Sequence, residues 1–85
     1  MKAEILTVAL QINENFNSFT VFTTQKFKGL VYDYFTPYSS IDEATNQAVE
    51  MTKLWNSEVM STAKGYELIT FKTNGTKEVE FIKTK

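Results

Sequence analysis

The stretch Ser40-Ile41-Asp42-Glu43-Ala44 marks the point where the apolar pattern changes from a strand period to a helix period. Ser40 and Glu43 have the spacing of a capping box, in which each side chain satisfies a free backbone N–H of the other residue at a helix start. Apolar residues then recur at steps of three, four and seven, as they do along one helix face: Ile41, Ala44, Ala48, Met51, Trp55 and Val59.

The same pattern predicts where this helix ends and what it buries. Gly65 is of the residue type that most often follows a helix end, so we expect a single helix of about 23 residues, ~34 Å long. Trp55 and Met51 lie on its apolar face, and the pattern therefore places both side chains in the core.

Three strands are predicted before the helix. Residues 4–12 alternate between apolar and polar side chains, as expected for a half-buried strand, and the Asn- and Glu-rich residues 13–17 turn the chain into a returning strand at 18–24. Lys28-Gly29 breaks the pattern. Residues 30–35, rich in β-branched and aromatic side chains, form a third strand that ends before Pro37.

Two more strands are predicted after the helix, at residues 66–73 and 77–83. Asn74-Gly75 joins them and is the preferred pair for a type I′ hairpin turn. The fold class is therefore α+β, with about five strands in a mostly antiparallel sheet packed on one long helix, in the order β-β-β-α-β-β. We expect residues 1–85 to form a single domain.

The composition excludes most catalytic chemistry. The chain has no His and no Cys, so it lacks the usual general base at neutral pH, the usual thiol nucleophile and the main nitrogen and sulfur metal ligands. Its three glycines are scattered and form no phosphate-binding loop. Glu78 and Glu80 share one strand face, which we interpret as solvated. We expect no enzyme activity, no cofactor and no metal site.

The charge balance argues against nucleic acid as a partner. A net charge of −1, with no Arg, is too close to neutral for binding driven by counterion release from phosphates. The tripeptide Lys26-Phe27-Lys28 combines base-stacking and phosphate-contacting residue types, but we expect Phe27 to pack. The chain start has no signal-peptide pattern and no apolar run approaches the ~20 residues of a membrane span. We expect a cytoplasmic protein without a membrane partner.

Two segments resemble known families. Ser40 to Ala44 with Ala48-Val49-Glu50, following three strands, resembles the strand-to-helix passage of HicB-type antitoxins, which neutralise RNA-cleaving toxins and often carry a DNA-binding segment. The resemblance implies a nucleic-acid-binding or antitoxin-like regulator. Gly65-Tyr66-Glu67-Leu68-Ile69, followed by a returning strand, resembles small bacterial domains with the same strand, for which no function is implied.

Apolar residues exceed what one helix can cover, because they occur on both faces of several predicted strands. Alternation assigns these residues to the covered face: Leu6, Val8, Leu10, Phe19, Val21, Val79 and Phe81. The side chains predicted to contact a partner are Phe22, Ile82, Val31, Phe35 and Leu68, of which Phe22 and Ile82 should point outward.

Exposed apolar surface of this kind is typical of binding sites for other proteins. We therefore expect a small non-enzymatic interaction or inhibitor module, of the kind encoded by bacteria, phages and other mobile elements. It would bind a protein partner, or form a homodimer, through an exposed apolar sheet face. Besides the antitoxin-like regulator, a second alternative is a domain that holds a small apolar ligand between helix and sheet.

Overall fold

The computed structural model describes residues 2–84, which form one six-stranded sheet and one helix. The elements are β1 (Ala3–Asn13), β2 (Ser18–Phe27), β3 (Leu30–Tyr38), α1 (Ile41–Lys53), β4 (Val59–Ser61), β5 (Gly65–Phe71) and β6 (Lys77–Lys83). Their spatial order is β3-β2-β1-β5-β6, with β4 paired to β1. The α+β class and the order β-β-β-α-β-β are confirmed, with β4 as a short added strand.

The central strand β1 has neighbours of both orientations. It pairs with β2 in antiparallel fashion, and with β4 and then β5 in parallel fashion. A register shift between Ile5 and Thr7 removes Leu6 from the ladder and brings Ile5 and Val8 to the same buried face. The sheet is therefore mixed, and Leu6, predicted on the covered face, lies at this bulge.

The helix α1 packs against one face of the sheet through its smallest side chains. Ala44 and Ala48 lie one turn apart and are fully buried, which brings the helix axis close to the strands. Thr52 continues this stripe; its hydroxyl donates to the Val49 carbonyl (2.7 Å) and contacts the Thr84 hydroxyl. The core cluster comprises Ile5, Val8, Leu10, Val21, Ala44, Ala48, Ala63 and Tyr66.

The start of α1 agrees with the capping prediction, but its end does not. The Glu43 N–H donates to the Ser40 hydroxyl oxygen at 3.1 Å. The helix ends at Lys53, whereas the pattern predicted that it continues almost to Gly65. Asn56 Oδ1 accepts from the N–H groups of Glu58 and Val59, both at 2.8 Å, and so turns the chain. This turn lays β4 beside the start of β1.

Trp55 lies outside the core as a result of this early helix end. Its side chain is 69% exposed, and the Lys2 ammonium lies 4.0 Å from the ring centroid. The prediction that Trp55 is buried on the helix stripe is therefore wrong. The apolar residues after Lys53 keep the spacing of a helix face in the sequence, but the backbone there is extended or turning.

The two glycine-containing hairpin turns differ from the predicted arrangement. Lys28 and Gly29 both have positive φ (53° and 80°), as a type I′ turn requires. At Asn74-Gly75 only Gly75 has positive φ (86°), and its N–H donates to the Lys72 carbonyl at 3.0 Å. The type I′ turn therefore joins β2 to β3, and the prediction of that turn at Asn74-Gly75 is wrong.

The faces of β6 are the reverse of the prediction. β6 pairs with β5 so that Ile82 lies opposite the buried Tyr66, and Ile82 therefore packs against the core. Val79 and Phe81 point to the other face, where they are 57% and 58% exposed. The pairing register between β5 and β6 decides which side chains of β6 face the core, because directly paired residues share a face.

Candidate interaction surface

The sheet face opposite α1 carries no covering element in the part of the chain that the structure describes. The pairing register aligns Phe35, Phe22, Ala9, Glu67 and Phe81 in one row across five strands. A neighbouring row contains Ile69 and Val79. We call the apolar part of this surface the open-face patch: Phe22, Val31, Phe35, Ile69, Val79 and Phe81.

Aromatic rings lie on both sides of Ala9 in the central row. The rings of Phe22 and Phe35 form a cross-strand pair, with centroids 6.1 Å apart and planes tilted by 36°. Phe35 remains 69% exposed despite this contact. On the other side, Phe81 packs against the backbone at Gly65, where an added Cβ would come within 2.8 Å of its ring. The patch thus has an aromatic ring or ring pair at each end of the row, separated by Ala9 and Glu67.

Polar and charged side chains lie within and beside the patch. Asp33 is exposed on the edge strand β3 and accepts a hydrogen bond from the Thr24 hydroxyl at 3.0 Å. Lys77 Nζ lies 5.8 Å from the Phe71 ring centroid on β5. Glu67 is the one carboxylate in the central row. The patch is thus apolar with two carboxylates inside it, Asp33 between Val31 and Phe35 and Glu67 between Ala9 and Phe81.

Three of the five predicted contact residues lie on this face. Phe22, Val31 and Phe35 belong to the open-face patch. Leu68 and Ile82 pack against the core beneath α1, so the expectation that Ile82 points outward is wrong. Sequence reasoning missed Val79 and Phe81 because both were assigned to the covered face. Only the pairing of Ile82 with the buried Tyr66 identifies them as exposed.

A groove lies on the opposite side of the sheet along the β2–β3 hairpin, bordered by α1 at one end and by Ala3, Glu58 and Val59 at the other. It consists of two clefts of about 240 and 460 Å³ that share Gln25 and Tyr34. The smaller cleft is lined by Val21, Thr23, Gln25, Tyr34, Thr36, Tyr38, Gln47 and Met51. The larger one adds Ala3, Phe27, Tyr32, Glu58 and Val59. Hydroxyl, amide and aromatic groups therefore dominate this groove.

Carboxylates on α1 lie near the groove. Burial raises the pKa of the Tyr38 hydroxyl above its usual 10.0, and the negative charges of Glu43 and Glu50 raise it further. Both carboxylates therefore act on the end of the groove where Tyr38 lies. Glu58 lies at the far end, in the lining of the larger cleft. Carboxylates therefore lie near both ends of the groove.

The residues with basic, stacking or metal-binding chemistry do not converge. Lys26 pairs with Val31, whereas Phe27 lines the groove on the other face, so the two side chains do not share one surface. Glu78 lies 3.5 Å from Lys72 Nζ in an exposed ion pair. Residues 2–84 contain no cluster of three or more His, Cys, Asp or Glu side chains that could hold a metal ion.

Comparisons with models of protein families, with curated proteins and with solved structures find no match to this chain. The resemblance of the segment around Ser40 to HicB-type antitoxins therefore gains no support from a family match. No helix formed by residues 2–84 is long and apolar enough to span a membrane.

Proposed function

We propose that this protein is a small non-enzymatic interaction module that pairs with a second copy of itself through the open-face patch. The observation that supports this proposal is the exposure of five large apolar side chains on one uncovered face. They are Phe22, Val31, Phe35, Val79 and Phe81, at 36%, 59%, 69%, 57% and 58% exposure. Apolar area costs about 25 cal/mol per Å² when it stays in water, so covering this face stabilises the protein.

The size of the face supports a second copy as the occupant. Five strands at ~4.8 Å spacing, with ~3.3 Å per residue, give a surface of roughly 600 Å² before side-chain relief is counted. A standard interface buries ~800 Å² on each partner. The area is therefore of the order that a stable dimer needs.

The charge and the symmetry of the face support the same occupant. A net charge of −1 gives two copies little reason to repel each other. A twofold axis that runs along β1, between two facing sheets, would set the Phe22–Phe35 half of one copy against the Val79–Phe81 half of the other. Ala9 would lie near the axis, where its small side chain permits the ~10 Å spacing of packed sheets.

Matched Phe→Lys variants test the proposal. Phe35 is 69% exposed within the patch, and Phe16 is 79% exposed in the turn between β1 and β2. Sedimentation velocity should show a wild-type dimer, a monomer for Phe35→Lys and a dimer for Phe16→Lys, with all three proteins folded by circular dichroism. A wild-type protein that stays monomeric at millimolar concentration, or equal sedimentation of the two variants, would contradict the proposal.

A further inference from the structure

The two edges of the sheet differ in how well they are protected. Edge strands expose unpaired backbone groups, and charged side chains on them discourage the addition of another strand. Four of the seven residues of β6 are charged: Lys77, Glu78, Glu80 and Lys83. β3 has nine residues and one charge, Asp33. The edge at β3 is therefore the one open to strand addition.

The free edge of β3 is long enough to hold a peptide. Eight of its nine residues are exposed, and the strand has one neighbour, β2, among residues 2–84. Pro37 has no N–H and limits pairing at the end of the strand, which leaves Leu30 to Thr36. An extended segment bound there gains backbone hydrogen bonds that do not depend on its side chains.

The two sides of β3 present different chemistry to such a segment. Val31 and Phe35 lie on the open face and are 59% and 69% exposed. On the other side lie Tyr32, Tyr34 and Thr36, which line the groove. The negative charges of Glu43 and Glu50 on α1 act on Tyr38 in this groove, Glu58 is part of its lining, and the lining includes no Lys. The open side is therefore apolar apart from Asp33, which lies between Val31 and Phe35 and is hydrogen-bonded to Thr24, whereas the groove side adjoins carboxylates of α1.

We propose that the free edge of β3 and the adjacent groove bind an extended peptide in which basic and apolar residues alternate. The peptide adds a strand to the sheet, so its side chains point alternately to the two faces. Its apolar side chains extend the surface formed by Val31 and Phe35. Its Lys or Arg side chains reach over Tyr34 and Thr36 towards Glu43 and Glu50.

A titration of ¹⁵N-labelled protein, followed by NMR, tests the pattern with two capped peptides of equal composition. The first alternates Lys and Val, and the second arranges the same residues as Lys-Lys-Val-Val blocks. The alternating peptide should give saturable shifts at the amides of β3, with smaller shifts at Gln47 and Met51. The block peptide should bind at least about tenfold more weakly, because it cannot match both faces at once.

Charge-neutralising variants test the acidic side. Glu43→Gln with Glu50→Gln should weaken the alternating peptide by about three- to tenfold, as expected for two exposed ion pairs. Glu67→Gln with Glu80→Gln removes the same charge from β5 and β6 and should leave the affinity unchanged. An equal loss in both double variants would show that overall charge, not the groove, attracts the peptide.

Other outcomes overturn the proposal directly. Equal affinity for the two peptides would show that alternation is not recognised. Shifts confined to β6, or no saturation at millimolar peptide, would show that the β3 edge does not accept a strand. N-methylation of alternate residues along the pairing edge of the peptide should abolish binding; unaffected binding would exclude backbone pairing with β3.

Discussion

Gly65 is the residue at which the sheet tolerates an added side chain least. A Cβ there would collide with the Ile82 carbonyl oxygen and lie 2.9 Å from the Lys83 Cα, and neither backbone atom can move without breaking β6 from β5. Phe81 packs against the same position, so the small size of Gly65 also sets the position of one ring of the open-face patch.

We expect Gly65→Ala to lower the free energy of unfolding by about 3 kcal/mol or more, as severe overpacking does. Gly29→Ala is the matched control, because a Cβ there meets open space and the cost is limited to the positive φ of 80°, about 1 kcal/mol. Urea denaturation of the two variants measures both values. Equal midpoints would contradict the tight approach of β6 to Gly65.

Trp55 and Leu10 give a second comparison at the residue scale. Trp55 is 69% exposed and Leu10 is 1% exposed. Trp55→Ala should cost less than about 1 kcal/mol, because it removes only a surface contact with Lys2, whereas Leu10→Ala should cost about 3 kcal/mol or more. Thermal unfolding ranks the two variants. A larger loss for Trp55→Ala would restore Trp55 to the core.

At the scale of elements, the β2–β3 hairpin contains a residue that its turn does not favour. Lys28 has a φ of 53°, a left-handed conformation that Asn adopts more easily than Lys. Lys28→Asn should therefore raise the free energy of unfolding by about 0.5 kcal/mol. Lys26→Asn, in the adjacent strand, should give no gain. A lower urea midpoint for Lys28→Asn would mean that the turn is not of type I′.

The start of α1 was predictable from the sequence because it depends on a local contact. The capping bond between Ser40 and Glu43 is a contact across three residues, so its spacing identifies the start of α1 directly. The end of α1 depends on residues distant in sequence. Val59 to Ser61 leave the helical pattern because they pair with Ala3 to Ile5, and no local signal near Asn56 reveals that partner.

The candidate surface was predictable in part: the residues of β2 and β3 were identified, and those of β6 were not. Phe22, Val31 and Phe35 belong to hairpin strands whose alternation is regular, so their exposed face followed from the sequence. β6 has apolar residues on both faces, and alternation alone does not decide between Ile82 and Phe81. Tyr66 decides it, because its burial fixes the face of its partner Ile82.

At the scale of the whole molecule, the short helix accounts for both candidate surfaces. The 13 residues of α1 give a length of ~20 Å, at most about half of the longest dimension of the molecule, 44 Å. The helix therefore covers one part of one sheet face. It leaves the groove beside β2 and β3 partly open, and the opposite face of the sheet has no cover within residues 2–84.

The two proposals are compatible, although Val31 and Phe35 contribute to both, because the dimer would cover side chains of the open-face patch and the peptide would pair with the outer backbone groups of β3. A dimer that pairs through the open-face patch leaves the outer backbone groups of both β3 strands accessible. Each copy would then offer one edge to an extended peptide, and the dimer would bind two peptides. The peptide titration reports on β3 amides, so its outcome does not depend on whether the patch self-associates.

Intermolecular nuclear Overhauser effects in a mixed dimer, made from ¹³C-labelled and unlabelled protein, test the central claim most directly. If two open-face patches pack on each other, the Phe35 ring protons of one copy should show contacts to the Val79 methyl groups of the other. Contacts of Phe16 or Trp55 across copies are not expected. Intermolecular signals only from residues outside the patch, or none under conditions where the protein sediments as a dimer, would contradict the account.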